Sequence, residues 1–175
     1  MDTIAFDFDG IFTDNKVWVD ETGRESVRCD RGDGLAFDFV RVFQAKGLMT
    51  EDIFILSKET NDVVNRRAAK MKLKCQHATK NKLTYMEKYL SEKHPARSDI
   101  WQGFIYVGND LNDLPLMRKA SYGVAPSDAH QKVKDVADLV LPERGGEGFV
   151  RAFVERLLRI NQMTDRDLDE LISNC

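Results

Sequence analysis

Three short apolar runs, each cut off by polar residues, constrain this chain more than any other feature. Ile4-Ala5-Phe6 runs into Asp7 and Asp9, Ile53-Phe54-Ile55-Leu56 stops at Ser57, and Phe104-Ile105-Tyr106-Val107 stops at Gly108-Asn109-Asp110. Short continuous runs of this kind suit strands buried on both faces. Between them lie stretches with helical spacing: Leu35, Phe39, Val42 and Phe43 ahead of Gly47, Val63, Val64 and Met71 within 61–72, Leu83, Met86 and Leu90 within 82–93, and a closing amphipathic stretch over 148–160. Shorter helices at 111–119 and 128–136 and short strands at 74–77, 122–125 and 139–141 complete the pattern. Strand and helix alternating this way predict an α/β domain, a parallel sheet with helices on both faces. Ligands in such sheets bind beyond the carboxyl ends of the strands, where the polar residues just named fall. One segment departs from the alternation: 16–20 and 25–29 flank Glu21-Thr22-Gly23 and predict a β-hairpin.

With 175 residues, four prolines and no Gly/Ser-rich linker, the chain reads as one domain over 1–160 followed by a polar tail, 161–175, with a weak helical pattern. A net charge of −3 argues against nucleic acid or an anionic membrane as partner. No apolar run approaches the ~20 residues of a membrane span. The opening Met1-Asp2-Thr3 lacks a basic leader, and Cys29, Cys75 and Cys175 show no metal-site or CxxC spacing. Both features predict a cytoplasmic protein with reduced thiols.

The chemistry concentrates in Asp7-Phe8-Asp9-Gly10-Ile11-Phe12-Thr13-Asp14. Its five fixed positions, DxDGxxTD, would arise by chance in roughly one chain in ten thousand. This segment resembles the first motif of the haloacid dehalogenase-like phosphatases. The resemblance implies a three-layer Rossmann-like fold and an aspartyl-phosphate mechanism. Asp7 would be the nucleophile and Asp9 the general acid and base. Mg²⁺ would be held by Asp7, the Asp9 carbonyl and a later loop, with Thr13 at the substrate. Three further motifs follow in the family's order. Ser57 matches the hydroxyl residue that holds a phosphoryl oxygen, although a Ser at a strand end also serves as a helix N-cap. Lys82 matches the motif lysine, with Lys80 a competitor two residues away. Gly108-Asn109-Asp110-Leu111-Asn112-Asp113 resembles the acidic loop GDDxxD, with Asn109 where a metal-binding carboxylate is usual. An amide oxygen ligates Mg²⁺ without bringing charge, which leaves room for weaker metal binding or slower turnover, and Asp110 could compensate directly or through a water. Asp110 and Asp113 would support the ligands from behind, Asp113 by orienting Lys82 or a metal-bound water.

No segment is long enough for an inserted cap domain. Over nearly its whole length the chain resembles the capless 3-deoxy-manno-octulosonate 8-phosphate phosphatases, the nine-carbon keto-sugar-acid 9-phosphatases, and the phosphatase-like C-terminal domains of acylneuraminate cytidylyltransferases, some of which also carry Asn at the position of Asn109. Supporting segments are the hairpin 16–29, Arg31-Gly32-Asp33-Gly34 (an RDG-like segment with Gly32 extra), and Arg144-Gly145-Gly146-Glu147-Gly148, which reads either as a phosphate loop or as a turn before a helix, the resemblance favouring a loop at the substrate's edge. The resemblance implies a homotetramer built through the hairpin, whose Val17, Val19 and Val27 oppose Trp18; the alternative is that the hairpin packs on its own domain. After Ser57 this chain has Lys58 and Glu59, where the eight-carbon enzymes have Arg two residues past the serine. Glu59 with Lys70 looks more like the nine-carbon branch, although Lys70 reads equally as a solvated lysine. The expected function is Mg²⁺-dependent removal of the terminal phosphate of a 2-keto-3-deoxy sugar acid. The alternative is a weakly active or non-catalytic oligomerisation module associated with a cytidylyltransferase.

Overall fold

In the computed structural model, which describes residues 2–175, the three apolar runs become the centre of the sheet. In chain order the elements are β1 (Thr3–Phe6), β2 (Thr13–Val19), β3 (Glu25–Cys29), α1 (Gly32–Ala45), β4 (Asp52–Leu56), α2 (Val63–Lys70), β5 (Lys74–Gln76), α3 (Lys82–Lys93), β6 (Phe104–Val107), α4 (Leu114–Met117), β7 (Tyr122–Ala125), α5 (Gln131–Lys134), β8 (Leu139–Val140), α6 (Phe149–Leu157) and α7 (Asp165–Ser173). Six strands form one parallel sheet in the order β5-β4-β1-β6-β7-β8. Counting only its own strands, that order is 3-2-1-4-5-6, the doubly wound Rossmann arrangement. The chain reverses direction across the sheet between β1 and β6, which opens a crevice at the carboxyl ends of those two strands.

Alternate side chains of the central strands feed two separate cores. Ile4, Phe6, Ile55 and Val107 pack with α1, α2, α6 and α7. Ala5, Phe54, Leu56, Phe104 and Tyr106 pack with α3, α4 and α5. On the first side Phe6 meets Phe12, Phe37 and Phe153, with ring centroids 5.7–5.9 Å apart. Each such fully buried ring contributes about 1.5–3 kcal/mol relative to exposure. This cluster ties the loop after β1 to α1 and α6, so the segment carrying the motif is anchored in the core.

Elements end where local chemistry ends them. The expected strand 3–8 closes at Phe6, and Asp7 N–H still donates to the Val107 carbonyl at 2.8 Å. The expected helix 111–119 splits into a 3₁₀ turn, Leu111–Asp113, and α4, because Pro115 removes a donor and Asp110 and Asp113 cap the turn reciprocally. The tail is more ordered than its polarity suggests: Thr164 caps α7, Leu171 is buried in the first core, and Lys46 pairs with Glu170 at 2.7 Å.

The hairpin β2–β3 leaves Val17, Trp18 and Val19 more than half exposed, so this ribbon does not pack them on its own domain. Its root is tied down: Arg28 pairs with Asp14 at 3.1 Å and Glu147 at 2.9 Å. Among the described residues, no helix is long and apolar enough to cross a membrane.

Candidate active site

The loops after β1, β4 and β6 meet above the crevice. Asp7, Asp9, Ser57, Lys58, Glu59, Asn109 and Asp110 line one cavity of about 230 Å³, together with Asn15 and Asn112. Seven residues singled out from the sequence thus converge from three strands that are neighbours in space and distant along the chain. Lys82 and Asp113 form the floor beneath them.

The floor is a buried ionic network. Asp7 Oδ1 accepts from Phe8 N–H at 2.7 Å and pairs with the Lys82 ammonium at 2.7 Å. Lys82 also donates to Asp113 Oδ1 at 2.9 Å and to the Tyr106 hydroxyl at 3.1 Å. Asp113 Oδ1 accepts from Tyr106 at 2.6 Å, while Oδ2 takes the main-chain N–H groups of Asn109 and Asp110. Burial works to raise Asp113, but Lys82 and the Tyr106 hydroxyl outweigh it and hold this carboxyl below its usual range. Burial likewise opposes the Lys82 charge, yet Asp7 and Asp113 together keep its ammonium above the usual lysine range. Asp7 is pushed upward by burial against the pull of Lys82. The sequence left Lys80 and Lys82 as rivals; Lys80 is exposed and Lys82 is 4% exposed at the start of α3, under the Asn81 cap.

Above the floor the side chains point chemistry into the cavity. The protein contacts to Asp7 fall on Oδ1, which leaves Oδ2 without a protein donor. Ser57 Oγ accepts from Glu59 N–H at 3.0 Å, so its own O–H remains free to donate. Asp9 is raised above the ordinary carboxylate range by burial and then by the Glu59 charge, with Lys82 and Thr13 pulling back. Glu59 is pinned in place, its Oε1 accepting from Thr60 and Asn61 N–H.

Three oxygen donors fit a hard cation. Asn109 Oδ1 is buried and takes no hydrogen bond. Such an atom is costly unless something meets it. Asp7 and Asp9 line the same cavity, and the resemblance would have the Asp9 main-chain carbonyl join them as a ligand. No three Asp, Glu, His or Cys side chains cluster as a metal cage among the described residues, so an ion here would rely on the amide and a carbonyl. Such an oxygen set suits Mg²⁺.

Two expected site residues lie elsewhere. Thr13 is fully buried and does not line the cavity; its Oγ1 accepts from Gly10 N–H at 3.1 Å and Asn15 N–H at 3.2 Å and its hydroxyl bears on the Asp9 carboxyl, so it shapes the loop. Lys70 is exposed at the far end of α2, which starts near the cavity and runs about 10 Å away from it. The segment 144–148 also proves to be a turn. A β-carbon on Gly145 would lie 1.9 Å from the Gly10 carbonyl oxygen, and Gly146 N–H donates to the Ile11 carbonyl at 2.9 Å. These glycines let the turn press against the motif loop and do not line the cavity. Conversely, Asn15, Asn112 and Tyr106 were not singled out as site residues. Asn15 adopts a left-handed φ of 60°, and an Asn directly after the motif was the available signal. Tyr106 read as one more apolar strand residue, and nothing in the chain order reveals its hydroxyl's partners.

Comparison with known proteins agrees with this fold. A family model described as haloacid dehalogenase-like hydrolase matches residues 39–153. The 3-deoxy-D-manno-octulosonate 8-phosphate phosphatase of Escherichia coli strain K12 is 29% identical over 162 residues, covering 89% of this chain and 78% of the relative. A solved structure from Streptomyces avermitilis MA-4680, described as a HAD family hydrolase, superposes with TM-score 0.80 at 33% identity, covering 95% of this chain and 91% of that one. The Moraxella catarrhalis 3-deoxy-D-manno-octulosonate 8-phosphate phosphatase, solved with magnesium, phosphate and KDO, shares the fold at TM-score 0.79 and 24% identity, covering 99% and 92%. The chain belongs to the haloacid dehalogenase-like hydrolases, as a phosphoric monoester hydrolase.

Proposed function

We propose that the protein hydrolyses the terminal phosphate of a 2-keto-3-deoxy sugar acid, favouring a nine-carbon 9-phosphate such as 2-keto-3-deoxynononate 9-phosphate. The observation that carries the reading is the division of labour at Asp7: Oδ1 is held by Phe8 N–H and Lys82, and Oδ2 is left for attack. Oδ2 bonds to phosphorus as the ester P–O bond breaks, giving an aspartyl-phosphate. Asp9 delivers its proton to the departing sugar oxygen, then takes one from the water that attacks phosphorus and releases Asp7. The Ser57 hydroxyl and the Lys82 charge stabilise the transferring group. Mg²⁺ held by Asp7, the Asp9 carbonyl and Asn109 would neutralise the dianion's charge and orient it. Lys58, exposed at the rim, offers a further cation to the substrate carboxylate or phosphate.

The nine-carbon preference rests on Glu59, a fixed hydrogen-bond acceptor at the cavity. A carboxylate there favours a polyol chain over the charge that an arginine would attract. Lys70, outside the cavity of its own chain, is not needed for this. The open cavity and the exposed Val17, Trp18 and Val19 support a homotetramer joined through the hairpins, in which a neighbour narrows the site. The uncharged Asn109 favours a second reading, a weakly active module that assists a cytidylyltransferase.

The test is phosphate release with Mg²⁺ from eight- and nine-carbon keto-sugar-acid phosphates. We expect release that is faster on the nine-carbon ester, lost in Asp7→Asn, and changed less than about twofold in Lys70→Ala. No release from any phosphate ester by the folded protein in excess Mg²⁺ would put the module reading first.

A further inference from the structure

Tyr106 lies in β6 on the sheet face that packs against α3 and is wholly buried with Met86, Phe104 and Leu116. A buried hydroxyl needs partners, and this one finds them only within the ionic floor of the site. It donates to Asp113 Oδ1 at 2.6 Å and accepts from Lys82 Nζ at 3.1 Å. With that bond the ammonium has three partners, Asp7, Asp113 and Tyr106, one for each N–H it carries. Asp113 is saturated too, taking Tyr106 and Lys82 on one oxygen and two main-chain N–H groups on the other. Two carboxylates thus share one ammonium in a buried floor. A neutral donor on Asp113 relieves part of its demand on Lys82, so the lysine charge can serve Asp7. Of the lysine's three partners Tyr106 is the longest and the one without charge, hence the one released at least cost when a phosphoryl oxygen arrives.

We propose that Tyr106 is a positioning residue for phosphoryl transfer: its hydroxyl steers Lys82 against Asp7 and holds the lysine's third N–H until substrate takes it. The proposal deepens the phosphatase reading and rests on it. Tyr106→Phe keeps the ring and removes only the oxygen. It should lower kcat about tenfold, the worth of one hydrogen bond to a charged network, with KM within about threefold. A merely structural role would instead lower the melting temperature and leave kcat of the folded fraction intact. Incorporating 3-fluorotyrosine at 106 restores the hydroxyl and should restore kcat to within about twofold. The ¹³Cε and ¹⁵Nζ signals of labelled Lys82, read without substrate, should move in Tyr106→Phe. If that variant does not fold, the same signals are read in the 3-fluorotyrosine protein, whose more acidic hydroxyl must also shift them. Unchanged kcat in folded Tyr106→Phe, or a Lys82 signal indifferent to the hydroxyl, would overturn the role of Tyr106. No turnover by the wild type would instead overturn the phosphatase reading, because the Lys82 signals report on the network without turnover.

Discussion

Gly10 and Asn109 approach so closely that a β-carbon on the glycine would lie 2.0 Å from Asn109 Nδ2. The loop after β1 and the end of β6 are therefore locked by the absence of a side chain. Gly10 also holds a left-handed φ of 75°, which costs any other residue about 1–2 kcal/mol. Gly10→Ala should cut kcat by about a hundredfold or more, since displacements near 1 Å at the reacting groups have that effect. It should destabilise the fold by about 1–3 kcal/mol. Phosphate release and urea unfolding on the same preparation check both.

Asn109 presents a buried oxygen without a partner and no charge. Asn109→Asp would add a further acid beside Asp7 and Asp9. Without metal, the added repulsion should lower stability by about 1–3 kcal/mol. With Mg²⁺ the charge is matched, so the ion should raise the melting temperature of this variant more than that of the wild type. Thermal melts in chelator and in excess Mg²⁺ decide it. Equal Mg²⁺ responses would mean that residue 109 does not touch the ion.

Asp33, in the first turn of α1, is 1% exposed, and neither carboxylate oxygen finds a hydrogen bond. Burial, then the Asp30 charge, push it up to about 7, with Arg67 and Arg151 pulling the other way. Its proton is therefore held more tightly in the folded chain than in the unfolded one. Stability from this group is full below its ordinary value near 3.8, falls as pH rises toward 7, and is flat above. The loss across that window is at most about 4 kcal/mol. Asp33→Asn should remove the slope, so the variant gains on the wild type at pH 8 relative to pH 4. Urea unfolding at the two pH values measures the difference.

The C-terminal helix docks through Leu171 onto the core beside α1. It meets α1 near Lys46, about 20 Å along that helix from its start by the hairpin. Leu171→Ala should cost about 2–3 kcal/mol of stability and leave kcat within about twofold. Glu170→Ala should leave the unfolding midpoint close to that of the wild type, because its pair with Lys46 is largely exposed. Denaturant melts and turnover of both variants provide the check.

Much of this molecule is written locally. The apolar runs at 4–6, 53–56 and 104–107 demand burial whatever surrounds them, and the helical spacings between them demand a parallel sheet. The motif residues Asp7, Asp9, Ser57 and Asn109 stand where each run ends, so that loops after parallel strands had to gather them at one edge. Side-chain direction is not local in this sense. Thr13 and Lys70 sit in segments that reach toward the site, yet one turns into the loop's own hydrogen bonds and the other leaves along its helix. Tyr106 shows the converse, an apolar-looking strand residue whose hydroxyl meets Lys82 from α3 and Asp113 from a different loop. The glycines at 145 and 146 earn their meaning only from a backbone more than 130 residues earlier in the chain. Burial preference and period belong to each residue with its neighbours and are legible in order along the chain. Which donor meets which acceptor depends on the packing of elements far apart in that order, and it is this packing that makes Lys82 the partner of Asp7 and leaves Asn109 Oδ1 without one.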